Sequence, residues 1–256
     1  MNLRLLVGAA ASAWALAAAS GAAAQTKQDD VWTGPYVGAN IGGAWGNTSL
    51  RASAAPGSGA VALPPGDAAQ IGAVTNNSSP AGFAIGGELG YNKQYGHWVL
   101  GIETDGGLLD ISQTRTHTFQ STQVVNPPVF FTLGQRVRTD WQWTLRPRIG
   151  YAWGPWLAYL TGGLGVTESE ISAAYSDTRS PPNFGSFAFS TTRTGGVVGV
   201  GAGYMFAPGW SGKLEWLYSD YGHVSGSVPI GNNFGVFTSS ANIRYNTLRA
   251  GVDYKF

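Results

Sequence analysis

Thr247-Leu-Arg-Ala-Gly-Val-Asp-Tyr-Lys-Phe256 closes the chain, and the reading of this stretch decides the fold. Taken two residues at a time, Leu248, Ala250, Val252, Tyr254 and Phe256 share one face, and Thr247, Arg249, Gly251, Asp253 and Lys255 share the other. Successive side chains of a β-strand point to opposite sides, so one side is wholly apolar and the other polar or small. A helix would scatter the two sets around its circumference. A soluble sheet with one face on a core can show the same alternation. The aromatic finish, Tyr254 and Phe256, favours a membrane barrel, whose apolar band faces lipid between aromatic girdles.

The other end of the chain explains how it reaches a membrane. Met1 to Ala24 reads as a cleavable signal: Arg4 gives the positive start, Leu5 to Ala19 the apolar run, and Ala22-Ala23-Ala24 a small-residue site before Gln25. An anchoring helix needs about 20 strongly apolar residues, and this run is mostly alanine. The expected organisation is a signal over 1–24 and one barrel domain over 25–256. The chain has no cysteine, so an exported fold cannot lean on disulfides. Charged residues are 11% of the chain, against ~25% in soluble domains. With 10 tryptophans the composition is not that of disorder. A formal net charge of +1 gives no electrostatic case for nucleic acid. No later apolar run is long enough for a spanning helix, so a bilayer-spanning chain of this kind must form a closed barrel.

Seven earlier segments repeat the terminal pattern: Trp32 to Trp45, Gly82 to Lys93, Trp98 to Asp105, Arg138 to Trp153, Trp156 to Glu170, Thr192 to Phe206 and Trp210 to Tyr221. The fourth alternates most cleanly, with Trp141, Trp143, Leu145, Pro147, Ile149, Tyr151 and Trp153 against Gln142, Thr144, Arg146, Arg148 and Gly150. Pro147 has no amide hydrogen to give a ladder. Between strands, the polar stretches Asn47 to Pro80, Ile111 to Arg136, Ala173 to Ser190 and Gly222 to Ser240 read as long loops. They alternate with tight turns at Tyr95-Gly96-His97, Gly154-Pro155 and Ala207-Pro208-Gly209. Long outer loops and short periplasmic turns describe an outer-membrane barrel. The expected fold is all-β: a transmembrane, antiparallel, up-and-down barrel of eight strands.

Several short motifs then line up in order. They are Trp32-Thr-Gly-Pro-Tyr-Val-Gly-Ala-Asn40, Gly86-Gly-Glu-Leu-Gly-Tyr-Asn92, Val99-Leu-Gly-Ile-Glu-Thr-Asp105, Leu160-Thr-Gly-Gly163, Lys213-Leu-Glu-Trp-Leu-Tyr218 and Arg249-Ala-Gly-Val-Asp-Tyr-Lys-Phe256. Together they resemble the alphaproteobacterial outer-membrane immunogenic proteins, relatives of the opacity proteins and of the OmpA membrane domain. The resemblance implies a surface barrel of a Gram-negative outer membrane, porin-like by label, with no defined catalytic residues. The long Ala/Pro/Gly first loop departs from the pattern, so ligand roles of outer loops do not carry over. Outer-membrane lipids and the barrel-assembly machinery are the expected partners, with an extracellular ligand or host surface met through the loops. No cofactor is expected.

The inward faces place Glu88, Glu103, Asp105, Arg146, Arg148, Lys213, Glu215, Arg249 and Asp253 in the lumen. An eight-stranded interior is just wide enough for side chains to fill, so these charges are expected to pair; the alternative is an ion path. Glycines 199, 201 and 203 beside 163 and 165 leave room for a narrow water path along one wall. His223-Val-Ser225 with Asp220 nearby is the nearest approach to a nucleophile–base arrangement, and it is too short a match to carry catalysis. His97 falls in a turn and His117 in an expected loop, so no metal-ligand spacing exists. A surface or structural barrel is the leading reading; a small-solute porin is the alternative, and a lipid-modifying barrel enzyme the remote one. Tyr254 and Phe256 are expected to serve as an assembly signal. The mature protein should begin at Gln25, and amino-terminal sequencing of outer-membrane material that returned Met1 would refute the signal assignment.

Overall fold

Amide hydrogens and carbonyls in lipid must be paired within the protein, and here strands alone do it. In a computed structural model, the described residues are 30–46, 48–58, 62–73, 75–78, 80–123, 126–231 and 233–256. The signal expected over Met1 to Ala24 lies outside them. The elements are β1 (Gly34–Gly46), β2 (Thr48–Pro56), α1 (Pro65–Gly72), β3 (Thr75–Ser78), β4 (Ala81–Tyr95), β5 (Trp98–Gln120), β6 (Phe130–Trp153), β7 (Trp156–Asp177), β8 (Phe184–Ala207), β9 (Trp210–Ile230) and β10 (Gly235–Lys255). Every ladder is antiparallel, and β1 closes the sheet on β10 with Val37 opposite Tyr254.

Ten strands make eight staves. Along β10, Gly46 of β1 faces Tyr245 and Leu50 of β2 faces Ala241, so the register runs on unbroken from one strand to the next. Trp45 faces Ala81 and Thr48 faces Ser78, which makes β3 and β4 a second interrupted stave. The other six staves are β5 to β10.

Most exposed apolar residues form one belt, with Phe130, Phe184 and Val236 lying beyond it. On β5 it runs from Trp98 to Leu108. Ten residue steps span about 33 Å along a strand, and ~25 Å along the normal at the usual tilt, the height of a barrel's lipid band. At the tight-turn end, rings meet in pairs: Trp98–Tyr151 at 5.6 Å, Trp156–Tyr204 at 4.6 Å and Trp210–Tyr254 at 5.0 Å between centroids. Trp45, Phe83, Trp143 and Trp216 mark the opposite boundary.

Beyond that boundary the structure corrects the loop assignments. Residues 111–120 and 130–136 are strand, as are 173–177, 184–190, 222–230 and 235–240, while 47–80 carries β2, α1 and β3. The connections proper shrink to residues 121–129, 178–183 and 231–234. These stretches look like loop because their outward residues are Ser, Thr and Gly. Their inward residues, such as Phe131, Leu133, Ala173, Tyr175, Val224, Val228 and Phe237, are apolar and buried. In lipid the apolar face points out; in water it points in. The sheet also divides here: the β4–β5 ladder ends at Phe83 opposite Asp110, and the β8–β9 ladder at Gly196 opposite Asp220. Two four-stranded halves, β5–β8 and β9–β10–β2–β3, therefore face each other across an apolar core.

Pro147 is accommodated by a lapse in pairing. The β6–β7 register skips from Leu145 opposite Leu164 to Arg148 opposite Thr161, and the Thr161 hydroxyl donates to the Pro147 carbonyl at 3.0 Å. Gly163 lies in that gap, where a Cβ would stand 2.1 Å from the Leu145 carbonyl oxygen.

Candidate functional site: the lumenal charge network

The period-two alternation of the lipid-facing strands forces their polar residues into the lumen, and the ladder registers decide which of them meet. Glu103 on β5 is opposite Arg146 on β6, and Glu215 on β9 is opposite Arg249 on β10. Arg146 is fully buried and donates to Glu103 Oε1 and Asp105 Oδ2 at 2.7 Å each, with Glu215 Oε1 at 3.3 Å. Thr144 adds a hydroxyl donor to the same Asp105 oxygen and accepts from Arg146 Nε at 2.9 Å. Arg249 donates to Asp105 Oδ1 at 2.8 Å and, from Nε, to Glu215 Oε2 at 2.9 Å, with Nη2 ion-paired to the same oxygen at 2.7 Å. Lys213 Nζ bridges Glu88 at 2.8 Å and Glu103 at 2.9 Å. Arg148 reaches Glu103 Oε2 at 2.8 Å, its guanidinium held between the Tyr36 and Tyr159 rings at 4.8 and 5.0 Å.

All nine residues singled out from the sequence are buried in this lumen. Asp253 differs from the other eight: beside Glu88 and over Gly38, it forms no ion pair among the described residues. A Cβ on Gly38 would stand 1.9 Å from Asp253 Oδ1 and 2.9 Å from Glu88 Oε1, so only glycine fits beneath the two carboxylates. Charge alone does not pick out the network's neutral members. Tyr36 donates to Glu103 at 2.8 Å, Asn40 to Glu88 at 2.8 Å and Tyr159 to Glu215 at 3.1 Å. Their inward parity was the only signal of this in the sequence.

Apolar layers close the network above and below. At the tight-turn end, Trp32, Val99, Ala152, Leu157 and Tyr159 form a floor. Trp32 is drawn in before β1 begins: its amide donates to Gln94 at 3.1 Å, and Lys255 Nζ donates to the neighbouring Val31 carbonyl at 2.5 Å. Above lie Leu109, Ile111, Val137, Ile171, Tyr221, Ile243 and Tyr245. The wall of glycines is filled by side chains from other strands. Each small residue is a socket: a Cβ would meet the Tyr159 ring at Gly201, Leu217 at Gly199, the Tyr221 hydroxyl at Gly165 and the Trp32 ring at Gly203. The cavities that touch the network are about 20 Å³, room for a water and little more.

The three histidines stand apart. His97 Nδ1 lies 2.9 Å from the Ala152 carbonyl, and His117 is on β5 rather than in a loop, stacked on Phe119. His223 faces outward with Nδ1 3.2 Å from Asn242 Oδ1, while Asp220 accepts from Arg244 at 2.8 Å. Asp220 is thus engaged away from the His223–Ser225 pair. Among the described residues no group of His, Cys, Asp and Glu is set to hold a metal.

A closed antiparallel barrel with a lipid-facing belt and a polar, filled lumen defines an integral outer-membrane β-barrel protein. The chain belongs to the outer membrane protein β-barrel domain family, whose model matches residues 14–256. It is 29% identical over 237 residues to the 31 kDa outer-membrane immunogenic protein of Brucella melitensis, covering 88% of this chain and 84% of that one. The 22 kDa outer membrane protein of Rhizobium leguminosarum is 26% identical over 178 residues, 68% of this chain and 67% of the relative. Among solved structures, Neisserial surface protein A is similar at 15% identity and a TM-score of 0.36, covering 88% of this chain and 98% of that one. The protein resides in the outer membrane.

Breaking one partner of a buried pair costs about 3–5 kcal/mol, because the other charge is left uncompensated. Arg146→Leu should therefore lower stability on that scale, and Glu103→Leu in the same chain should restore part of it. Urea titration of the four proteins refolded into vesicles measures the coupling; additive losses would show that the two residues act separately.

Proposed function

We propose that this protein is a closed, non-conducting surface barrel whose outer end, rather than its lumen, is the working part. The observation that carries the reading is the lumenal cross-section: a connected ion network with apolar layers on both sides of it. An ion entering it would have to break several buried pairs at once, each of which is expensive to leave unmade. The reading is non-catalytic, since His223, Ser225 and Asp220 are not joined into a nucleophile, base and orienting group. Outer-membrane lipids contact the belt, and an extracellular ligand or host surface would meet the extended strands and their connections, where function on rigid scaffolds concentrates. The competing reading is a small-solute pore. Planar-bilayer recordings of the refolded protein separate the two: the closed barrel should be silent, whereas stable channels that widen in Arg146→Ala/Arg148→Ala would overturn it.

We also assign Tyr254 and Phe256 to recognition by the barrel-assembly machinery. Support comes from their place at the end of the strand that closes the barrel, with rings 5.2 Å apart edge to face and more than a third exposed. Tyr254→Ser/Phe256→Ser should reduce the amount found in outer membranes while leaving refolding into synthetic vesicles intact. Equal amounts in cells would reduce the pair to ordinary girdle residues.

A further inference from the structure

At the outer mouth, one short segment occupies a site with two chemically distinct parts. α1 has eight residues, follows Pro64 and has no side-chain cap at its start. Helices of that length are not stable alone, so its order depends on docking. The first part of the dock receives a carboxylate. Asp67, buried, accepts from the Ser121 hydroxyl at 2.7 Å, the Thr122 amide at 2.6 Å and the Thr122 hydroxyl at 2.8 Å, with Arg179 Nη2 at 3.6 Å. Gly66 makes this approach possible, since a Cβ there would stand 2.5 Å from the Thr122 hydroxyl. The second part receives aliphatic side chains. Leu63 and Ile71 are buried in a cup whose walls include Phe131, Tyr175, Phe234 and Phe237. Arg179 joins the parts: its guanidinium lies 5.2 Å from the Phe234 ring, pairs with Asp177 at 3.3 Å and donates to Gln123 at 2.9 Å.

We propose that α1 is a lid that fills, with its own side chains, a binding site for an aliphatic carboxylate. Asp67 stands where the ligand's carboxylate would lie, and Leu63 with Ile71 stand where its chain would lie. Ser121, Thr122 and Arg179 would hold the head group, and the aromatic cup the tail. Among the described residues, the lid's hydrogen bonds to the rest of the mouth are the Asp67 contacts and the Leu63 amide, which donates to the Phe234 carbonyl at 2.8 Å. The site is therefore self-occupied at rest and opens when residues 62–73 lift away together. The inference rests on the reading of the outer end as the working part, and it gives that end a ligand class.

The test uses the full-length barrel in nanodiscs with octanoate as probe. Asp67→Ala/Ile71→Ser loosens the lid, and retention of heat-modifiable migration on a gel establishes that the barrel is folded. Hydrogen exchange should rise at 62–73 and stay low in β5 to β10. Octanoate should bind this variant at least ten-fold more tightly than the wild type, octanol should bind it less well than octanoate, and adding Arg179→Ala should abolish the gain. A folded variant that binds octanoate no better than wild type overturns the proposal, as does a gain that survives Arg179→Ala or exchange that rises across the strands together. Bilayer conductance of the same variant reports separately on the closed lumen, so failure of the lid and failure of the closed-barrel reading are told apart.

Discussion

The ladder between β1 and β10, with Val37 opposite Tyr254, is the constraint on which the remaining structure depends. An open sheet in lipid would leave a row of unpaired backbone groups, each costing several kcal/mol, and among the described residues no loop or helix is placed to cover such an edge. Closure fixes the number of staves at eight. It also fixes the lumen at a width that side chains can fill. The inward-facing charges then have no water to retreat into, so they meet one another. Arg146 illustrates the outcome: three carboxylates surround it because the barrel is narrow enough to bring β5, β6 and β9 within reach of one guanidinium.

A second constraint is the change of solvent along each strand. From the tight turns to Trp143 and Trp216 the strands carry their apolar residues outward; beyond that level Leu133, Ile171 and Val228 point inward. On β6 and β9 the inward face changes parity at this level, odd residues facing out at Trp143 and in at Leu133, and even residues facing out at Trp216 and in at Val228, whereas β5, β7 and β10 keep their parity and change composition instead. Irregularities gather at the same level, between Leu108 and Ile111, Thr139 and Trp141, and Asn242 and Arg244. Bulges increase local twist and bend the strand. Here they coincide with the level at which the single barrel wall divides into two packed halves. The outer half is thus built like a soluble β-sandwich standing on a membrane barrel, and its core, rather than lipid, holds the connections in place.

The outer cap follows from that core. Phe234 from one connection, Arg179 from another, and Leu63 and Ile71 around α1 pack over the top of the same apolar layer. Asp67 and Asp177 both approach Arg179, so the stretches following β5, β7 and β9 share one electrostatic centre with α1. Burial, reinforced by the adjacent Asp177 carboxylate, pushes the Tyr175 hydroxyl well above the usual tyrosine range, so it stays protonated and donates to Asp177.

Strand alternation was legible without any structure, because period-two patterning in Leu248 to Phe256 is a local property of the backbone. Locally read, too, were the lumenal faces of Glu103, Arg146 and Lys213, since parity alone sends them inward. Other features were not local. Residues 111–120 and 130–136 looked like loop because Ser112, Thr114, Thr116 and Thr118 on the wet outer face dominated the reading; their strand character depends on a core contributed by β7, β9 and β10. Gly201 and Gly203 looked like empty wall, whereas Tyr159 and Trp32, distant in sequence, fill them. Pro147 had no explanation until the lapse in pairing opposite Gly163 was visible. Which carboxylate meets which base, and which residues beneath α1 receive Asp67, were decided only by closure, because barrel registers bring together residues that no local pattern connects.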